Sequence, residues 1–395
     1  MIYVVVFILL LIPVVKYDLM AKSGGENKWY YFNLIVLILL AGLRYRVGGD
    51  TLMYMSMYNE WPAFDELKYF DFETALYNPL WYVYTSIPKS ISDEFWVFQM
   101  IQAVFVNCVF FSFFKKYSPS YYFSAILVYY VGYYCYFNME IMREILCISI
   151  LMLMTGWLEE KKYIPYFIGC AVAVAIHFSA LIMLVLPLLY IFFKKPSWKW
   201  QLIIMLAVIV VLNVVNIVSI VISMLPLDEQ FGMLIEKYLD IETNLNGIIY
   251  QLILYLPVLG MIFIRERYPI NYHDNFTPII MGVVFAYAMS MGFAGFGRLV
   301  NYFIPFVIVY MVHTIYYFIS NVDFRISQIS HVVLSLSLCL LVFNYTFYYV
   351  RDKSDAYPGT QFYDRYSPYY SVLNPKIDNH REKYIENDMN VSFDF

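Results

Sequence analysis

Arg44, Arg46, Asp50, Arg143, His177 and Arg298 are the side chains of this sequence best suited to chemistry on a phosphate-bearing substrate. They come from separate segments, yet all can be placed at one level of one membrane face. A charge at membrane depth costs several kcal/mol unless it is paired or faces a watery cavity, so each marks function by default. Their gathering on one rim points to an active site that opens outward.

Arg44-Tyr-Arg46-Val-Gly48-Gly49-Asp50 sets two guanidiniums beside a glycine pair. Arginine gives bidentate hydrogen bonds to phosphate, and glycines let backbone N–H groups approach it. Asp50 is placed to orient an arginine or to act as a base. The competing reading is an ordinary turn with a local Arg–Asp pair. In Asn138-Met-Glu140-Ile-Met-Arg143-Glu144 the spacing puts Glu140 and Arg143 on one helix face. Taken singly, that is an interfacial ion pair with a snorkelling arginine. Arg298, after Gly295-Phe-Gly297, opens a further helix at the same level. His177 in Ala175-Ile-His177-Phe-Ser179 offers an imidazole that can exchange a proton near neutral pH.

The elements that must hold these residues are helices in a bilayer. Of 395 residues, 62% are hydrophobic and 14% charged, where a soluble domain would carry about a quarter charged. Apolar runs of spanning length recur throughout. The N-terminal run Ile2–Val15 has no cationic leader pattern and reads as a retained first helix. The five cysteines lie in apolar segments without metal-ligand spacing or a disulfide framework. No cofactor and no metal ligand set is expected, while the outer carboxylates at Asp65–Glu66 or Asp71–Glu73 leave metal use open. A net charge of −4 argues against nucleic acid. The 41 tyrosines suit sugar platforms and interfacial belts, or simply reflect codon bias.

Lys and Arg beside helix ends define cytoplasmic loops at Lys16–Lys28, Lys115–Lys116, Lys161–Lys162, Lys194–Lys199, Arg265–Arg267 and Arg325. Between them helices are expected near 1–15, 29–43, 95–114, 121–137, 141–158, 163–176, 178–193, 200–226, 247–264, 276–295, 299–320 and 327–349. This is an all-α polytopic protein of about twelve crossings. Tyr163–Phe193 reads as a helical hairpin with His177 near its outer tip, because that choice leaves more Lys and Arg inside. Two outer loops follow, Arg44–Glu94 and Leu227–Asn246. The first contains Pro79–Ile91, a segment expected to be re-entrant or interfacial. The second has the apolar spacing of a surface helix. Residues 1–350 form the catalytic membrane domain, and 351–395 a polar, only partly ordered outer tail.

Gly42-Leu-Arg44-Tyr-Arg46-Val-Gly48-Gly49-Asp50 with Tyr54 and Tyr58 resembles the opening signature of the EpsG-type membrane proteins. So do the arginine within Met139–Ile145, His177-Phe-Ser179 and Arg298-Leu. The resemblance runs in order through residues 1–350. One departure is the glycine pair, where the family pattern has a small polar residue after a single glycine. Such proteins are similar in plan to Wzy polymerases, linked to exopolysaccharide, capsule and O-antigen assembly. The resemblance implies a polymerase with GT-C-like architecture in the bacterial cytoplasmic membrane, its site facing outward. It would join undecaprenyl-pyrophosphate-linked oligosaccharides, with a flippase and a chain-length regulator as pathway partners. His177, Asp50, Arg143 and Arg298 are then the expected catalytic residues. Arg44, Arg46, Gly48, Gly49, Glu140 and Tyr54 would bind the substrate's pyrophosphate end.

Three other classes compete. A GT-C transferase would add one sugar from a polyprenyl-phosphate donor, relying on Asp50. A transporter of lipid-linked glycan would show internal repeats and broken midplane helices, and no repeat is evident. An acyltransferase would use His177 as base but needs an acyl-donor site on the inner side.

Overall fold

The computed structural model describes residues 1–215, 245–268, 270, 276–292, 294–320, 328–351 and 357–392. Among these every regular element is helical, and the only β pairing is a pair of isolated bridges. Among the described residues three helices are long and apolar enough to cross a membrane: Ile2–Leu19, Phe95–Tyr117 and Phe296–Phe318. Shorter apolar helices accompany them. The molecule is a helical membrane protein.

Two compact units divide the chain. The first comprises Met1–Leu181 with Tyr345–Phe395, the second Ile182–Asn344.

In the first unit α1 (Ile2–Pro13) continues as a π-helical turn to Leu19. α2 (Glu26–Gly42) packs along α5 (Phe95–Tyr117), and the crossing is close because Gly42 lies against Met100. A Cβ on Gly42 would stand 2.6 Å from the Met100 sulfur. Small residues at membrane helix crossings serve this close approach. α5 ends at Tyr117, with Lys115 and Lys116 in its last turn facing the negative end of the helix dipole.

Between α2 and α5 run α3 (Thr51–Tyr58) and α4 (Pro79–Ile91). Pro79 sits in the first turn of α4, where its missing N–H is no loss. The helix buries Trp81, Tyr82, Thr85 and Ser86 and exposes Ile87 and Ile91. At ~1.5 Å per residue it reaches about 20 Å, short of a ~30 Å hydrocarbon core, which agrees with a non-crossing segment.

The helix expected over 121–137 is broken. α6 (Tyr122–Gly132) stops at Tyr133 and α7 (Tyr134–Met139) resumes beyond it. Asn138 secures α7, donating to the Tyr129 hydroxyl (2.7 Å) and accepting from Asn107 (3.0 Å). Glu140 and Ile141 are non-helical, and α8 (Met142–Glu159) starts after them. α9 (Tyr163–Val174) packs on α8. Ala175–His177 then interrupts the helix, and a 3-10 segment follows from Phe178 to Val185. The expected break at His177 is present.

The second unit contains α10 (Leu186–Phe192), α11 (Trp198–Val215), α12 (Leu245–Arg267), α13 (Thr277–Gly292) and α14 (Ile304–Ser320). α13 is central, packed by α10, α11 and α12. The buried Gln201 on α11 donates to the Met281 carbonyl at 2.7 Å and accepts from Tyr255 of α12. Arg298 falls in a 3-10 segment, Ala294–Phe303, ahead of α14 rather than at an α-helix start. The amphipathic stretch expected at Leu227–Asn246 lies outside the described residues as far as 244.

α15 (Gln328–Val350) leads back into the first unit. The tail expected to be only partly ordered is folded over residues 357–392. It carries a 3-10 turn at Phe362–Arg365 and α16 (Asn379–Met389), and it buries Phe362, Arg365, Tyr366, Arg381, Tyr384 and Ile385.

Candidate functional site

The Arg44–Asp50 loop leaves α2 and is held by the tail. Residues 43–45 and 370–372 exchange backbone hydrogen bonds: the Tyr45 N–H donates to the Tyr370 carbonyl and the Val372 N–H to the Leu43 carbonyl, each at 2.9 Å. Arg44 is 2% exposed. Its guanidinium donates to the Ala41 carbonyl and, with the Gln99 amide oxygen turned toward it, to Gln99 at 3.2 Å from two nitrogens. Burial pushes this group down to about 10, which leaves it charged at neutral pH. Arg46 has a left-handed backbone (φ 55°) and forms a two-toothed ion pair with Glu382 of α16, at 2.6 and 3.0 Å.

The glycine pair answers to the tail as well. Gly48 has φ 113°, a conformation that favours glycine, and its N–H donates to the Arg365 carbonyl at 2.9 Å. A side chain there would collide with the Met139 carbonyl and Thr51. At Gly49 a Cβ would meet the Arg365 guanidinium at 2.7 Å and the Glu140 carboxyl at 3.0 Å. The Gly48 donor expected for a phosphate is therefore engaged by Arg365, and the pair allows close packing of the tail.

Glu140 was expected to pair with Arg143 on a helix face. It instead precedes α8 with φ −122° and ψ −65°, so no continuous helix relates the two. Its carboxylate accepts from the Arg365 guanidinium at 3.3 Å and from the Tyr366 hydroxyl. Arg365 also pairs with Asp388 of α16 and donates to the Tyr384 hydroxyl. Burial pulls the Arg365 guanidinium down, but Glu140, Tyr384 and Asp388 more than offset it and hold it above the usual arginine range.

Arg143, in the first turn of α8, is half-buried. It donates from Nε to the Tyr54 hydroxyl at 3.1 Å, and its guanidinium lies 3.8 Å from the centre of the Tyr77 ring. Stacking on an aromatic face suits the planar guanidinium and leaves its in-plane donors for an anion. Among the described residues Arg143 makes no ion pair. Tyr54 is buried and packs on Trp61, Tyr77 and Trp81, with ring centres 5.8–6.4 Å apart. Burial pushes the Tyr77 phenol up; neighbouring Tyr54 adds to this, Arg143 opposes it and Asp50 contributes a further rise. Asp50 is the residue before α3, the helix that carries Tyr54.

The segment that carries Tyr77 also grips the His177 turn. Asn78 donates to the Val174 carbonyl and the Leu80 N–H to the Ala175 carbonyl, each at 3.0 Å. At the turn itself, His177 Nδ1 lies 2.6 Å from the Ser179 hydroxyl and accepts the Ser179 N–H at 3.2 Å. An acceptor at Nδ1 puts the proton of the neutral ring on Nε2, which makes Nε2 a donor.

The structure thus brings Tyr54 and Arg143 together at Tyr77, and Tyr77–Leu80 clips the His177 turn to them, while Asp50 starts α3, the helix that carries Tyr54. Arg44, Arg46, Gly48, Gly49 and Glu140 form an adjoining layer committed to α5 and the tail. Arg298 belongs to the second unit and is exposed. Sequence reasoning missed Tyr77, Gln99, Arg365, Tyr366, Arg381 and Glu382. Tyr77 stands beside Asn78-Pro79, a helix-start signal, but its pairing with Arg143 spans a long sequence separation. The tail residues lie in a polar stretch whose composition resembles that of disordered chain.

Fold and site together define a polytopic helical membrane protein with a guanidinium-bearing, tyrosine-lined site in its first unit. The sequence profile of the EpsG family matches residues 27–371, and the chain belongs to that family. Membership associates it with surface polysaccharide polymerisation. No curated protein and no solved structure matches it.

Proposed function

We propose that this protein is a polysaccharide polymerase that joins oligosaccharide repeat units carried on undecaprenyl pyrophosphate. The observation that carries the reading is Arg143: a half-buried guanidinium stacked on Tyr77 and fixed at one edge by Tyr54, with Asp50 at the start of the helix that carries Tyr54. In the reaction a hydroxyl oxygen of the acceptor sugar bonds to the anomeric carbon of the donor. The bond from that carbon to the pyrophosphate oxygen breaks, and undecaprenyl pyrophosphate leaves with the electron pair. Arg143 stabilises the developing charge as a preorganised donor in a poorly solvated site.

Asp50 takes the acceptor proton. His177, protonated at Nε2, supports as a hydrogen-bond donor from the adjoining turn. Arg298 lies in the second unit and is given no step in this scheme. Arg44 and Arg46 bind no phosphate directly in this scheme; they keep the loop that presents Asp50 in place. Family membership together with the recurrent apolar helices supports a bacterial cytoplasmic membrane location, a GT-C-like plan of about twelve crossings and a site on the outer face. A flippase and a chain-length regulator would be the neighbouring activities.

The test is to express Arg143→Ala, Asp50→Asn and His177→Ala at equal protein level and resolve surface polysaccharide on a gel. Loss of the ladder in Arg143→Ala and Asp50→Asn is the expected result, and normal ladders from all three would end the proposal. Asp50 at the start of α3 also suits single-sugar transfer from a polyprenyl phosphate. Product length separates the two: one added sugar favours that transferase, repeating units the polymerase.

A further inference from the structure

We infer that Arg365 is a positioning residue of the site, clamping together the two backbone segments that carry Asp50 and Arg143. Its effect on synthesis rests on the polymerase reading, but its mechanical role does not. Through its carbonyl Arg365 accepts the Gly48 N–H at 2.9 Å, two residues before Asp50. Through its guanidinium it reaches Glu140 at 3.3 Å, three residues before Arg143. One residue therefore spans the two segments.

Neither clamped segment is regular helix. Arg46 and Gly48 have positive φ, and Glu140 and Ile141 lie between helices with irregular angles. Backbone of this kind persists only where its surroundings over-determine it. The surroundings here are the tail together with Thr51, whose hydroxyl lies 2.8 Å from the Val47 carbonyl and 3.2 Å from the Met139 carbonyl. Asp388 holds Arg365 from α16, Glu382 holds Arg46, and the 1%-exposed Arg381 donates to the carbonyls of Arg46 (3.0 Å), Asp364 (3.1 Å) and Pro368. Asp378 caps the start of α16 by accepting from the N–H groups of His380 and Arg381. Arg365 and Glu140 fall within the stretch matched by the family profile, whereas Arg381, Glu382 and Asp388 lie beyond its end at 371.

A detachable latch over Arg46 would be the opposite reading of the same tail. The full burial of Arg381 and Tyr384 opposes it, because lifting α16 would strip a buried guanidinium of its carbonyl partners. Loosening the clamp should therefore disorder the site, and synthesis should fall.

The experiment uses the full-length protein with Cys108 and Cys339 replaced by serine and Asp50→Cys as a reporter. A polar maleimide labels the detergent-purified protein, and the rate is compared with and without Arg365→Gln. The rate should rise by about tenfold or more as local opening exposes the loop, and Arg365→Lys should raise it less. In the otherwise unaltered chain, Arg365→Gln should reduce the polysaccharide ladder at equal protein level, with partial recovery in Arg365→Lys. Unchanged labelling in Arg365→Gln, or a stronger ladder, would overturn the clamp. Faster labelling with a normal ladder would keep the mechanical clamp and count instead against Asp50 and Arg143 as the reacting site. Should Arg365→Gln fail to accumulate, Asp388→Asn loosens the same guanidinium and is read by the same two measurements.

Discussion

At the residue scale, the site turns on how a guanidinium is held. Arg44 is surrounded by a backbone carbonyl and the Gln99 amide, and Arg46 is neutralised by Glu382. Arg143 is presented on an aromatic face with only its Nε engaged by Tyr54. Replacing it by lysine keeps the charge but removes both the planar fork and the stacking. Arg143→Lys should therefore lower polymerisation by roughly ten- to a hundredfold, about 1.4–2.7 kcal/mol of transition-state stabilisation. The readout is polymer formed per unit of purified protein. Tyr77 gives a companion prediction. Tyr77→Phe keeps the ring under Arg143 and should retain most activity, whereas Tyr77→Leu removes the stacking partner and should lose most of it. Equal activity in the two variants would remove stacking from the account.

At the scale of elements, the tail and the glycine loop are one packed layer. Gly49→Ala would force a methyl group against the Arg365 guanidinium and the Glu140 carboxyl. Overpacking of this kind costs about 1–3 kcal/mol, so the detergent-solubilised variant should unfold at lower temperature. A melting temperature equal to that of the unaltered protein would show that the layer gives way freely. The break between α7 and α8 belongs to the same scale. The i, i+3 spacing of Glu140 and Arg143 suggested a helical pair, but Glu140 precedes the helix and turns to Arg365 and Tyr366. Periodicity could not reveal this, because the partner that draws Glu140 away is more than two hundred residues distant. The glycine pair was legible as a special turn, and its purpose was not: the same residue types that cradle a phosphate also admit a neighbouring chain.

At the scale of the whole molecule, the proposed topology sets residues 177 and 298 on one face and the Lys194–Lys199 loop on the other. His177→Cys and Arg298→Cys should each react with a membrane-impermeant maleimide added to intact cells, while Lys195→Cys should react only after lysis. The reverse pattern at residue 298 would move that arginine to the cytoplasmic side and overturn the topology.

The sequence by itself determined the helical membrane class, the family, most helix positions and the interruption at His177. Hydrophobic run length and the placement of Lys and Arg are local properties, and a bilayer converts them directly into structure. It also nominated Arg143, Asp50 and Tyr54, because a charge or a polar aromatic beside a membrane helix stands out against the apolar background. Only the tertiary structure decided which arginines remain available. Arg44 and Arg46 have the same composition signal as Arg143, yet their guanidiniums are satisfied by Gln99 and Glu382 across long stretches of chain. The ordering of the tail was decided there too. Its buried arginines are stable only because distant carbonyls and carboxylates replace the water they give up.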